Sequence, residues 1–156
     1  MGYAARRKYR LGSWLRRHVN ALVASLAGIG LTPANTVRLE VAGRKTGQVR
    51  AFAVTLAEMG NERYLVSLAG ESDWVRNLRA SGKAVMRHRY RAEIRVQELP
   101  AKERAAVLQA YLSRRALSKS PAAAARDYFG VDPHPSHEVL REIADYYPVF
   151  RVIELT

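Results

Sequence analysis

Between Thr36 and Val41 apolar and polar residues alternate, with Val37, Leu39 and Val41 on one face and Arg38 and Glu40 on the other. A period of two predicts a strand with one face buried. A second apolar stretch, Ala51 to Ala57, predicts another strand, and Gly60-Asn61-Glu62 predicts a turn after it. Tyr64 to Ala69 is apolar almost throughout, which predicts a strand covered on both faces. A fourth strand is predicted over Ala84–His88. A fifth covers Arg91–Leu99, where Ala92, Ile94 and Val96 alternate with Glu93, Arg95 and Gln97. Val149–Leu155 closes the chain as a sixth.

The period changes toward both ends. Trp14, Leu15, Val19, Leu22, Val23 and Leu26 recur at helical spacing, predicting a helix over Ser13–Ala27 capped by Ser13 and ended by Gly28. Ser72 reads as an N-cap with Asp73 in the first turn of a short helix that ends near Ser81-Gly82. Longer helical patterns follow over Ala101–Leu117, from Pro121, and from a Ser136 cap to about Tyr146, where Pro148 forbids continuation. Short turns between consecutive strands imply antiparallel pairing. The fold class is therefore α+β, with about six antiparallel strands and flanking helices. A small barrel is a natural way to remove the sheet edges. Residues 1–12 read as a flexible basic arm, and residues 13–156 as one domain.

Composition agrees with a folded domain: 156 residues, 48% hydrophobic and 26% charged. The absence of cysteine excludes disulfides and thiolate chemistry. A formal net charge of +12 favours an anionic partner. It is unevenly placed: Arg6, Arg7, Lys8, Arg10, Arg16 and Arg17 face no acid within residues 1–20. No stretch is long and apolar enough to span a bilayer, so the cytoplasm is the expected compartment. The basic helix over 13–27 either packs on the core or lies on anionic lipid, which would place the protein at the inner membrane face. Nucleic acid is not expected as a partner, because the aromatic residues are not interleaved with cations on a strand face. No metal is expected either. His134 and His137 straddle Pro135, and no cysteine or His-Glu-x-x-His pair accompanies them. Nor does the chain contain a nucleophile elbow, a phosphate-binding P-loop or a dinucleotide fingerprint.

Two stretches carry chemistry. The first is Val41-Ala42-Gly43-Arg44-Lys45-Thr46-Gly47-Gln48-Val49-Arg50, a hairpin tip with two glycines, three cations and a threonine. Glycines permit backbone angles that can turn several N–H groups toward one point, and the cations add charge suited to a phosphate or carboxylate. The same residues also suit a solvated basic turn. The second runs from Leu65 to Ala80, where a buried strand opens through Gly70-Glu71-Ser72 into a helix start. Free N–H groups gather there. Trp74 either offers a flat face to a planar ligand or packs with Leu78 in the core.

In this order and spacing, Gly43-Arg44-Lys45-Thr46-Gly47-x-x-Arg50 and then Gly-x-x-Asp-Trp-x-x-Asn-Leu-x-Ala, the chain resembles the deazaflavin-dependent nitroreductase family. The closing Tyr146-Tyr147-Pro148-Val149-Phe150-Arg151-Val152 is similar as well. The segment before the tryptophan departs from that family, being compressed to Gly70-Glu71-Ser72-Asp73. The resemblance implies a split β-barrel that binds coenzyme F-420, with FMN the alternative known on related barrels. It implies that Arg44, Lys45, Thr46, Gly47 and Arg50 hold the cofactor's phosphate and acidic tail. Phe52, Val54 and the Leu68-Ala69-Gly70 segment would flank the deazaflavin, and Trp74 and Asn77 would shape its far end. The implied activity is hydride transfer from reduced F-420 to a small-molecule electron acceptor: a quinone, nitro compound or enone. A non-catalytic F-420 carrier is the competing function. Tyr128 and Tyr147 are the candidate catalytic proton donors, with core packing or solvent protonation as the alternatives. The sequence leaves the oligomeric state open.

Overall fold

The computed structural model describes residues 36–88, 90–113, 129–132 and 134–155. The arm over 1–12, the helix over 13–27, the helix from Pro121 and Tyr128 lie outside the described residues. So does the choice between core packing and lipid contact for that first helix.

Six strands form a closed, wholly antiparallel barrel: β1 (Thr36–Ala42), β2 (Val49–Met59), β3 (Glu62–Val66), β4 (Lys83–Arg87), β5 (Arg91–Glu98) and β6 (Val149–Glu154). Around the wall the order is β1-β2-β3-β6-β5-β4, and β4 pairs back onto β1. The alternation of β1 is used as predicted: Val37, Leu39 and Val41 are buried inside, while Arg38 and Glu40 face outward. Inside the barrel they meet Val54, Leu56, Leu65, Met86, Ile94, Phe150 and Val152. Helix α1 (Asp73–Ser81) adds Trp74, Val75 and Leu78 to that interior.

A second core lies on the outside of the wall. Helices α2 (Ala101–Leu112) and α3 (His137–Ile143) cover Ala57, Tyr64, Val66 and Val149, with Phe129 and Tyr147 packed between them. This explains the unbroken apolar reading of β3. Leu65 points into the barrel, while Tyr64 and Val66 point into the helical layer.

Several boundaries differ from the sequence expectation. β2 starts at Val49 and runs to Met59, leaving a six-residue tip between Ala42 and Val49, which are paired. β3 ends at Val66 rather than Ala69, because Ser67 turns the chain. Its Oγ donates to the Gly70 carbonyl at 2.5 Å, and the Gly70 N–H returns to the Ser67 carbonyl at 3.2 Å. Ser72 stands at the N-cap of α1, but its side chain makes no cap bond; the hydroxyl lies 3.5 Å from Ser67 Oγ instead. Ser136 does cap α3, accepting from the Val139 N–H at 3.3 Å. That helix tightens into a 3-10 turn over Ala144–Tyr146 before Pro148.

Candidate cofactor site

The tip between β1 and β2 closes on itself. The Gly43 N–H donates to the Gln48 carbonyl at 2.8 Å, and the Gly47 N–H to the Gly43 carbonyl at 2.8 Å. The Gln48 N–H donates to Thr46 Oγ1 at 3.3 Å. Gly47 sits at φ 73°, a left-handed conformation that side chains resist. Gly43 sits in close quarters: a Cβ there would stand 3.2 Å from both the Gln48 carbonyl oxygen and Thr46 Oγ1, so a neighbour would have to give by a few tenths of an ångström. The expected convergence of several tip N–H groups on an anion is therefore corrected. Closing the turn uses those of Gly43, Gly47 and Gln48, and the Arg44 N–H goes to Asn77. Among the described residues, the N–H groups of Lys45 and Thr46 make no hydrogen bond, and both residues are exposed.

Helix α1 supplies the opposing wall. Its core face is fixed by Trp74, Val75 and Leu78, and Asn77 on the same helix is 2% exposed. Asn77 Oδ1 accepts from the Arg44 backbone N–H at 3.2 Å and from Arg44 Nη1 at 2.8 Å. One helical turn earlier, Asp73 Oδ1 lies 3.5 Å from Arg44 Nη2. Tip and helix enclose a cleft of about 210 Å³ lined by Gly43, Arg44, Lys45, Thr46, Arg50, Asp73 and Asn77. Three cations face one carboxylate. Thr46 accepts from Gln48 and keeps its own proton for a ligand. Cations, a hydroxyl and unpaired N–H groups together are a donor set for a phosphate or carboxylates.

The helix is held in place on its far side. Arg79 donates to Glu98 through Nε and Nη2 and to Glu71 through Nη1 and Nη2. Arg104, itself buried, donates to the Leu99 and Ala144 carbonyls and reaches Glu98 Oε1 at 3.2 Å. The hydrogen bond from Arg79 holds the Glu98 carboxyl below its usual range, burial opposing it, and Glu98 and Glu71 in turn push the Arg79 guanidinium up.

Of the residues expected at the site, the cleft gathers Arg44, Lys45, Thr46, Arg50 and Asn77, with Gly47 at the turn behind them. The others lie elsewhere. Val54 is buried inside the barrel, and Phe52 is half-buried against the same interior. Trp74 is buried too, its ring tilted 55° to Phe150 at a centroid distance of 5.8 Å. The core reading of Trp74 is the one the packing bears out. Leu68 is half-buried against the helical layer, Ala69 is exposed, and Gly70 turns the chain at φ 76°. Tyr147 is 0% exposed and packs edge-on against Phe129 at 4.8 Å. In this structure the phenol of that candidate proton donor is enclosed in the helical layer, which fits the alternative reading of Tyr147 as a packing residue. Gly43 is expected from the sequence as part of the tip's anion site, whereas Asp73 reads there only as a first-turn helix residue, and its place in the cleft was missed. An acid at a helix start has an ordinary electrostatic explanation, and nothing local signalled its arginine partner.

No described helix is long and apolar enough to cross a membrane, and no cluster of metal-ligating side chains occurs among the described residues.

Known proteins extend this picture. A solved structure described as a domain-swapped dimer is 15% identical, with 90% of this chain and 97% of that one aligned at a TM-score of 0.54. The conserved hypothetical protein Rv2991 from Mycobacterium tuberculosis is also 15% identical, over 87% of this chain and 80% of its own, at a TM-score of 0.51. These likenesses establish the split-barrel fold. None of the curated proteins matches the sequence. The family model described as F420H(2)-dependent quinone reductase matches residues 13–126, a span that contains the tip, the cleft and α1. With that match covering most of its length, the chain belongs to the F420H(2)-dependent quinone reductase family.

Proposed function

We propose that this protein reduces a quinone with coenzyme F-420 as hydride donor, holding the cofactor's phosphate and acidic tail in the cleft between the hairpin tip and α1. The observation that carries this reading is the cleft itself. Arg44, Lys45, Arg50 and Thr46 converge on one space of about 210 Å³. Such a cluster attracts a polyanion and orients it by charge-assisted hydrogen bonds. When bound, the deazaflavin supplies a hydride. The chain's residues do the rest. Arg44, Lys45 and Arg50 neutralise the tail. Thr46 and the N–H groups of Lys45 and Thr46 donate to it. The α1 supports keep the cationic wall from collapsing into solvent. A quinone that accepts one hydride and one proton becomes a quinol. Tyr147 is sealed in the core and Tyr128 lies outside the described residues, so this reading takes water as the proton source. Nitro compounds and enones are the other acceptor classes this chemistry admits.

The test has two stages. Fluorescence titration with oxidised F-420, FMN and NADP should show tight saturable binding of F-420 alone. Oxidation of reduced F-420 should then be followed with a menadione-type quinone, a nitroaromatic and a cyclic enone. Turnover fastest with the quinone is expected. Binding without turnover on any acceptor would favour a carrier, and tighter binding of FMN would refute the cofactor assignment.

A further inference from the structure

Helix α1 holds Arg44 with two grips of different kinds. The first is fixed. A single oxygen, Asn77 Oδ1, takes both the backbone N–H and Nη1 of Arg44 at 3.2 and 2.8 Å. That oxygen belongs to a side chain only 2% exposed, on a helix face set by the barrel core. Two donors on one oxygen also settle which way the amide points, so Nδ2 is directed away from Arg44. Among the described residues it has no hydrogen-bond partner, on a side chain that lines the cleft.

The second grip is loose. Asp73 Oδ1 lies 3.5 Å from Arg44 Nη2, and its side chain is 61% exposed. Pairs of that kind contribute little and are readily exchanged for another partner. Yet Asp73 lines the cleft and is the one acid among its lining residues. A carboxylate there opposes any anion that enters.

We propose that Asp73 is an exchangeable counter-charge for Arg44, released when a multiply charged anionic tail enters the cleft, while Asn77 is the positioning residue that keeps Arg44 in place before and after. The proposal rests on the reading of the cleft as the cofactor-tail site. It gives the site a selectivity. An anion with one charge gains little from Arg44 beyond what Asp73 already gives. A tail carrying several charges also engages Lys45 and Arg50, and so outcompetes the carboxylate. The Asn77 Nδ2 group adds a neutral donor to the same ligand.

The two residues should respond with opposite sign. Asp73→Asn should tighten F-420 binding about three- to tenfold at low ionic strength, as expected for removing one charge several ångströms from an anion. The gain should shrink as salt is added, because solvent-exposed charges are screened. Asn77→Ala should weaken binding at least tenfold, and the double variant should stay weak. A purely structural role for Asp73 would not produce salt-dependent tightening. Weaker binding in Asp73→Asn would make Asp73 a ligand acceptor and overturn the proposal, as would unchanged affinity in Asn77→Ala. Asp73 is exposed, so its result stands even if Asn77→Ala does not fold. Inorganic tripolyphosphate, titrated by thermal shift against the same variants, separates this proposal from the cofactor reading. Salt-dependent tightening of tripolyphosphate by Asp73→Asn, with no F-420 binding by the unaltered protein, would retain the counter-charge and reject the cofactor. No tightening with either probe would overturn the counter-charge itself.

Discussion

Arg79 and Glu98 meet edge to edge, with Nε 2.8 Å from Oε2 and Nη2 2.7 Å from Oε1. The other edge of the same guanidinium holds Glu71 at 2.7 and 2.9 Å. One arginine thus ties α1, the turn before it and the end of β5. Because α1 also carries Asn77 and Asp73, this tie determines where the far wall of the cleft stands. Arg79→Ala should lower stability by about 1–2 kcal/mol, since a networked, half-exposed arginine contributes more than an isolated surface pair. A urea melt checks this. F-420 affinity should fall as well, although Arg79 is not among the residues lining the cleft.

The same ion pairs set an acid limit. The Arg79 hydrogen bond holds Glu98 below the ordinary carboxyl value of 4.5, against the effect of burial. Burial pushes Glu40 up, but Arg38 and Arg87 more than reverse it, and the Arg63 hydrogen bond holds Glu154 down. The unfolded chain therefore binds protons at higher pH than the folded one does. Stability from these groups is complete above about pH 5 and is lost as pH falls through the depressed folded values. Urea midpoints should be level from pH 7 to 5.5 and decline below 4.5. Glu98→Gln should be less stable at pH 7 and show a shallower acid decline.

Lys45 and Arg50 reach the cleft from the two sides of the tip, and neither has an ion-pair partner among the described residues. Lys45→Ala and Arg50→Ala should each weaken F-420 binding by about 1–3 kcal/mol, the range for a hydrogen bond to a charged group. Fluorescence titration at two salt concentrations is the check. Each variant should also show a smaller salt dependence than the unaltered protein. Unchanged affinity in both would remove the tail from this cleft.

How much of this was legible in the residues depended on whether the deciding contact was local. Arg38 and Glu40 alternate with Val37, Leu39 and Val41, so β1 announces both of its faces. β3 announces neither face, because Leu65 and Tyr64 are buried in different cores; its end was also overrun, since Leu68 and Ala69 continue the apolar run past Ser67. The bond that stops the strand, Ser67 Oγ to the Gly70 carbonyl, leaves no mark in hydrophobicity. The tip was readable as a basic, glycine-flanked bend. Its internal closure was not, because the same glycines serve a ligand nest and a self-bonded turn equally well. The Arg44–Asn77 contact spans 33 positions and depends on barrel closure bringing α1 against β1. Asn77 entered the site only through family resemblance, and Asp73 was legible only as the first-turn acid of α1.

The two tip glycines should fail in different ways. Gly47 is at φ 73° with open space around it, so Gly47→Ala meets backbone strain alone. A cost of about 1–2 kcal/mol is expected, lowering the melting temperature by about 2–4 °C per kcal/mol for a domain of this size. Gly43→Ala instead drives a Cβ to 3.2 Å from the Gln48 carbonyl and from Thr46 Oγ1. Relief takes a shift of a few tenths of an ångström in both neighbours, and one of them, Thr46, lines the cleft. Gly43→Ala should therefore lose more F-420 affinity per degree of melting temperature than Gly47→Ala. Paired melts and titrations on the two variants decide it.

Tyr147 offers the sharpest separation of packing from chemistry. Its ring is sealed between α2 and α3 and packs edge-on against Phe129, which stands in the same relation to Tyr111. Removing a ring from such a cluster leaves a cavity, and Tyr147→Ala should cost about 3–5 kcal/mol, as other buried aromatic truncations do. Tyr147→Phe keeps the ring and its edge-to-face contacts, so the fold should survive with a smaller loss. If protonation of the reduced acceptor comes from water, kcat for quinone reduction in Tyr147→Phe should stay within about twofold of the unaltered enzyme across pH 6–9. Its solvent isotope effect should be unchanged. A drop of a hundredfold in kcat with KM and melting temperature preserved would restore the tyrosine as the proton source. That outcome would require the helical layer to open during turnover, because in this structure no surface of Tyr147 meets solvent.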